Sequence, residues 1–113
     1  MLPNEHRLRL EKDIKTLFAK GRSVFGIFVG VRFRPNKLAH SRFAFVVGTK
    51  VSKKAVVRNR LRRQLRGIIY KHLSKIKPGF DVMLMIKKEA IGKKSRELEA
   101  ELIQTLQRKA RLL

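Results

Sequence analysis

The spacing of apolar residues changes period along the chain, and each change marks an element. Leu10, Ile14, Leu17 and Phe18 recur at helical spacing, with Glu11 and Asp13 early and Lys20 late, as a helix dipole prefers. A short helix over about 11–20 is expected, stopped by Gly21. The arm before it, to Arg9, reads as polar. From Val24 to Arg34 the period becomes two, and the stretch reads as one strand. Its odd positions, Phe25, Ile27, Val29, Val31 and Phe33, are uniformly apolar and are expected to face the core.

The even positions of that stretch are Val24, Gly26, Phe28, Gly30, Arg32 and Arg34. Two glycines expose backbone around one aromatic, with two arginines following. Glycine inside a strand marks either a bulge or edge defect, or a close approach by a ligand or another backbone. The strand alone leaves both readings open. Pro35-Asn36 starts a turn and Arg42 to Val47 is a second strand, so a hairpin is expected.

A helix then runs from a cap at Ser52 to about Lys75, with Val57, Leu61, Leu65, Ile68 and Ile76 on one face. Pro78-Gly79 ends the connection. Phe80 to Ile86 is nearly all apolar, as expected of an inner strand. Ser95 opens a last helix with Leu98, Leu102, Leu106 and Ala110 as its buried stripe, and Glu97, Glu99 and Glu101 near its positive end as dipole partners. The order αββαβα predicts an α+β sandwich, one sheet of three or four strands packed with helices, in a single domain over 1–113.

Charge sharpens this picture. Lys50 to Arg66 carries eight cations and no acid in 17 residues. From Ile14 to Phe80, 67 residues hold 18 Lys and Arg and no Asp or Glu. Asn59, Arg62, Arg63 and Arg66 fall opposite the apolar stripe, at spacings that make side chains neighbours. A solvated helix face normally mixes signs, because like charges one turn apart repel. The excess of Arg over Lys in 58–66 favours phosphate, which a planar guanidinium binds through paired hydrogen bonds. With net charge +21, the expected partner is a polyanion, nucleic acid first.

The absence of cysteine excludes a disulfide frame and thiolate metal sites and suits a reducing cytoplasm. No apolar run approaches a membrane span of ~20 residues, and the first 15 residues are too charged for a secretory signal. Catalytic chemistry is not expected of the protein itself. The eight acids form no cluster of the kind that holds Mg²⁺, and Asp81 stands alone at a strand start. His6, His40 and His72 are assigned structural roles. No helix-turn-helix, zinc-finger or RNP-type pattern appears.

Ala55-Val-Val-Arg-Asn-Arg-Leu-Arg-Arg63, with Arg66 beyond, closely resembles the signature helix of the protein subunit of bacterial ribonuclease P. Arg7-Leu8, Asp13 with Phe18 and Gly21, and Pro78-Gly79-Phe80-Asp81-Val82 match that family's flanking patterns. Ile14 stands where the family often has Phe, and Gly48-Thr49 where it often has Ser-Lys. The resemblance implies a ribonucleoprotein endonuclease in which a catalytic RNA, with Mg²⁺, removes the 5′ leader of precursor tRNA in the cytoplasm. It implies no further protein partner, and it leaves open whether the protein holds a metal ion itself. It assigns RNA binding to Lys53, Lys54, Arg58, Asn59, Arg60, Arg62, Arg63 and Arg66. A leader cleft between the first helix and the sheet would use Ile14, Phe18, Phe28, Gly30 and Arg32. It also implies a left-handed crossover through the basic helix, against the usual hand. The alternatives are a ribosomal-type or chaperone RNA binder with no such cleft, and a basic DNA-compacting protein.

Overall fold

The stretch Val24–Arg34 is two strands, not one. In the computed structural model, which describes residues 2–113, β1 (Arg22–Phe25) turns back on β2 (Val29–Pro35) through Gly26, Ile27 and Phe28. At the turn Gly26 packs close against the last helix, α3 (Ser95–Arg108), so that a larger residue would displace α3 side chains. A Cβ there would lie 2.7 Å from Glu101 Oε1 and 2.8 Å from Thr105 Oγ1. The Glu101 carboxylate in turn accepts the Ile27 and Phe28 N–H groups at 2.7 and 2.6 Å. Lys87 Nζ donates to the Gly26 carbonyl at 2.8 Å, and Lys109 Nζ to that of Phe25 at 2.5 Å.

Turning the chain inverts the parity of β1. Phe25 pairs with Gly30, Val24 with Val31 and Ser23 with Arg32. The expectation that odd positions face the core therefore holds only for Val29, Val31 and Phe33, which are buried. Phe25 is 56% exposed, and Ile27, at the tip of the turn, is 68% exposed.

The expected hairpin between 24–34 and 42–47 does not form either. The sheet order is β1-β2-β4-β3, with β3 at Arg42–Val46 and β4 at Phe80–Ile86. β4 lies between them, antiparallel to β2 and parallel to β3. A parallel pair needs a crossover, and α2 (Ala55–His72) supplies it. The inner position expected for 80–86 is where β4 sits: Val82, Met83 and Leu84 are fully buried. The fold is thus α+β, with three helices and a four-stranded mixed sheet.

Helices α2 and α3 cover one face of the sheet, packing Leu61, Leu65, Ile69, Leu98, Leu102 and Leu106 onto Val31, Val82 and Leu84. The other face carries α1 (Glu11–Lys20), with Leu17 and Leu8 on Met83. The arm before α1 is not merely polar. Leu2 and Leu8 are buried, and Leu8 N–H donates to Phe43 O at 2.9 Å, so the arm covers part of the β3 edge. α2 starts at Ala55 rather than at Ser52, whose hydroxyl accepts the Lys54 N–H at 3.2 Å. It gives way at Leu73 to a 3₁₀ turn ending at Lys75.

Candidate nucleic-acid interface

The apolar stripe of α2 fixes which cations are free. With Leu61, Leu65 and Ile68 buried, the polar residues divide into two rows. Arg58, Arg62 and Arg66 are half-buried on the flank that faces β3 and the 47–52 loop. Arg58 donates to Ser52 O at 2.9 Å, and the Arg66 guanidinium lies 5.9 Å from the centre of the Phe45 ring. Arg62 donates to Asn59 Oδ1 at 2.8 Å and reaches the Val47 carbonyl at 3.5 Å. Asn59, Arg60 and Arg63 form the outer row and are exposed, as are Lys53 and Lys54 before the helix. The nearest acids belong to α3: Glu99 takes Lys71 at 3.1 Å and His72 at 2.6 Å, both in the last turn of α2. Among the described residues no ion pair involves the first two turns of α2.

On the opposite face of the sheet, the expected cleft residues do not all meet. Ile14 is half-buried against the cluster of Leu8, Leu17 and Met83, and Phe18 is 52% exposed at the end of α1. Gly30 is buried on this face. A Cβ there would stand 3.2 Å from Phe25 Cδ1 and 3.4 Å from Met85 Cε, so the Phe25 ring rests on the glycine. Arg32 is present but committed. It donates to Leu17 O at 2.8 Å, to Ser23 Oγ at 2.6 Å and to Phe18 O, fastening β2 to the negative end of α1.

Phe28 is a correction. It lies in the β1–β2 turn and packs against the core on the α2–α3 side, with Lys93 Nζ 5.5 Å from its ring centre. The aromatic that shares the face of Gly30 and Arg32 is Phe25, with Lys87 Nζ 5.4 Å from its ring centre. Its signal in the sequence was Gly26 followed by Ile27-Phe28, which the unbroken alternation of apolar residues concealed. A groove of about 480 Å³ joins the two regions at the β3 edge, reaching from Ile14 on α1 past Val46 to Arg66 on α2, with Arg7 and Arg9 along it.

The carboxylates are organised around basic groups and backbone amides rather than around each other. Asp81 does not stand alone: Arg42 binds it through Nε and Nη2, both at 2.8 Å, and Asn36 donates to it at 3.0 Å. Arg42 also meets Asp13 at 3.2 Å. The Asp81 hydrogen bonds hold Arg42 above its ordinary pKa, with the charge of Asp13 adding to them. In α3, Glu97 accepts the Lys94 N–H at 3.4 Å, as a first-turn acid should. Glu99 and Glu101 are not dipole partners but hold α2 and the β1–β2 turn. His6 and His72 are likewise engaged, His6 Nδ1 with Ser41 O at 2.8 Å. Among the described residues no three His, Asp or Glu side chains converge on one point.

The model of the family described as Ribonuclease P matches residues 2–110. The ribonuclease P protein component of a Synechocystis species is 41% identical over 80% of this chain and 74% of its own length. That of a Synechococcus species is 38% identical over 96% of this chain and 84% of its own. The solved RNase P protein of Thermotoga maritima, 31% identical, superposes with a TM-score of 0.83 over 90% of this chain and 96% of that one. The chain belongs to the ribonuclease P protein family, the protein components of bacterial ribonuclease P.

Proposed function

We propose that this chain is the subunit that binds the catalytic RNA of a cytoplasmic ribonuclease P and helps it hold the 5′ leader of precursor tRNA. One observation carries the reading: the exposed, acid-free row Asn59, Arg60 and Arg63 on α2 lies apart from an aromatic-bearing sheet face beside α1. The row suits phosphates of structured RNA, which guanidinium forks grip without reading sequence. The sheet face suits a single strand, held by bases stacking on exposed rings beside positive charge. Phe18 and Phe25 are those rings, and Lys87 is the cation. A mature tRNA has no leader to place there.

The chemistry of leader removal belongs to the RNA in this reading, and Mg²⁺ to the RNA, since Asp13, Asp81, Glu97, Glu99 and Glu101 are engaged in holding the protein's own elements. The protein contributes charge that metal ions would otherwise contribute, and it positions the leader. No protein partner is needed, and no helix among the described residues is long and apolar enough to cross a membrane.

The test is reconstitution. Purified, nuclease-treated protein with Mg²⁺ is expected to leave precursor tRNA intact. Adding the cognate RNA subunit is expected to produce the mature 5′ end, at a lower Mg²⁺ requirement than the RNA shows alone. Specific 5′ cleavage by the RNA-free protein would overturn the reading.

A further inference from the structure

The last turn of α2 builds a second concave surface, one helical turn beyond Arg66. Ile69 is fully buried, so Tyr70, one residue further round the helix, emerges 53% exposed. It stands at the lip of a cavity of about 740 Å³ whose apolar wall is Leu73, Ile76 and Pro78. The lining also holds two imidazoles, His6 and His40, edge to face with ring centres 5.6 Å apart. His6 is oriented by its Nδ1 contact with Ser41 O, and its Nε2 makes no hydrogen bond among the described residues. Glu5 is the one acid on the rim. Lys71, also on the rim, pairs with Glu99, while Lys75 and Lys77, which flank the lining residue Ile76 in the chain, are exposed and make no ion pair among the described residues.

We infer that this cavity takes an unpaired nucleobase of an RNA strand, stacked on Tyr70, with the strand's phosphates over Lys75 and Lys77. The inference rests on the RNA-binding reading given above. A flat aromatic lip, an apolar wall and imidazole nitrogens able to meet a base edge are what a splayed-out base requires. The charge of +21 supplies complementarity to the strand that carries it. Tyr70 is ten residues from Arg60, or ~15 Å along the helix axis, so one RNA can meet both ends of α2.

Tyr70 is the only tyrosine and there is no tryptophan, so the protein's intrinsic emission reports on this cavity alone. A short oligoadenylate is expected to quench that emission saturably, after absorbance correction, in the wild type. The quench is also expected in Phe25→Leu, where the other aromatic face is removed. In that Phe25→Leu background, anisotropy of the labelled oligoadenylate should report ~5- to 10-fold weaker binding for Tyr70→Leu, and near-complete recovery for Tyr70→Phe. Binding by anisotropy with unaltered emission, and equal affinity in Tyr70→Leu, would overturn the cavity's role and leave the RNA-binding reading standing. Absence of any binding would overturn both.

Discussion

Within the 67 residues that contain no acid, arginines meet two fates. Two of those in the sheet, Arg32 and Arg42, are drawn into the fold. Arg42 reaches out of the acid-free stretch to Asp13 before it and Asp81 after it, and Arg32 donates to the last carbonyls of α1. The outer row of α2, Arg60 and Arg63, projects into solvent and makes no ion pair among the described residues. The guanidinium fork serves both purposes, because its donors suit carbonyls and carboxylates as well as phosphates. Counting cations therefore overstates an interface, and only those left free by the fold are available to a ligand.

The comparison breaks first at Arg42. Arg42→Met removes the bidentate partner of Asp81, whose side chain is buried, and leaves one hydrogen bond from Asn36. A loss of ~3 kcal/mol is expected, since a buried charge loses its counter-ion. Urea unfolding should show it, whereas Arg63→Ala should stay within ~0.5 kcal/mol of wild type. Equal stability of the two variants would erase the distinction between structural and free arginines.

Two phenylalanines sharpen the difference between the faces. Phe28→Ala is expected to lower stability by ~2 kcal/mol, less than for a fully buried ring, and to do little else. Phe25→Ala should weaken binding of leader-bearing precursor tRNA to the assembled enzyme by ~1–3 kcal/mol and leave mature tRNA binding unchanged. Paired titrations with the two tRNA forms decide this, and the opposite pattern would return Phe28 to the cleft.

A smaller effect is expected on the salt dependence of assembly. If Arg60 and Arg63 each meet a phosphate, replacing either by Ala makes the slope of log affinity against log salt shallower by ~0.7–0.9. A wild-type slope in both variants would mean that the outer row only faces solvent.

The smallest effect lies where α2 finally meets acid. The hydrogen bond with His72, and then that with Lys71, holds the Glu99 carboxyl below its ordinary pKa. A depressed carboxyl contributes stability above its unfolded pKa of ~4.3, and that contribution is lost as pH falls through the lower folded value. Glu99→Gln should therefore cost stability near neutrality, by less than ~1 kcal/mol because Lys71 is largely exposed, and that cost should shrink as pH falls below ~4.3. A difference that persists in acid would assign the contact a role other than charge.

The α+β class, the three helices, the inner strand at 80–86 and the unopposed charge of α2 were legible because each rests on local periodicity or local composition. Leu61, Leu65 and Ile68 mark the buried stripe of α2 wherever the helix packs, and they leave Asn59 and Arg63 outside. Phe25 was not legible. A strand of period two and a hairpin whose turn happens to continue that alternation look the same in one dimension, and only the approach of Glu101, 73 residues further on for Phe28, distinguishes them.

The same reason governs the rest of what the sequence by itself determined and what it left to the tertiary structure. Periodicity is a property of neighbours in the chain, so it specified elements and the faces they bury. Strand order is a property of distant segments competing for one sheet, so placing β4 between β2 and β3 required the packed whole. The commitment of Arg32 and Arg42 to backbone and carboxylate, and the freedom of Arg60 and Arg63, were decided there too, because a cation's availability depends on what folding brings within hydrogen-bond reach.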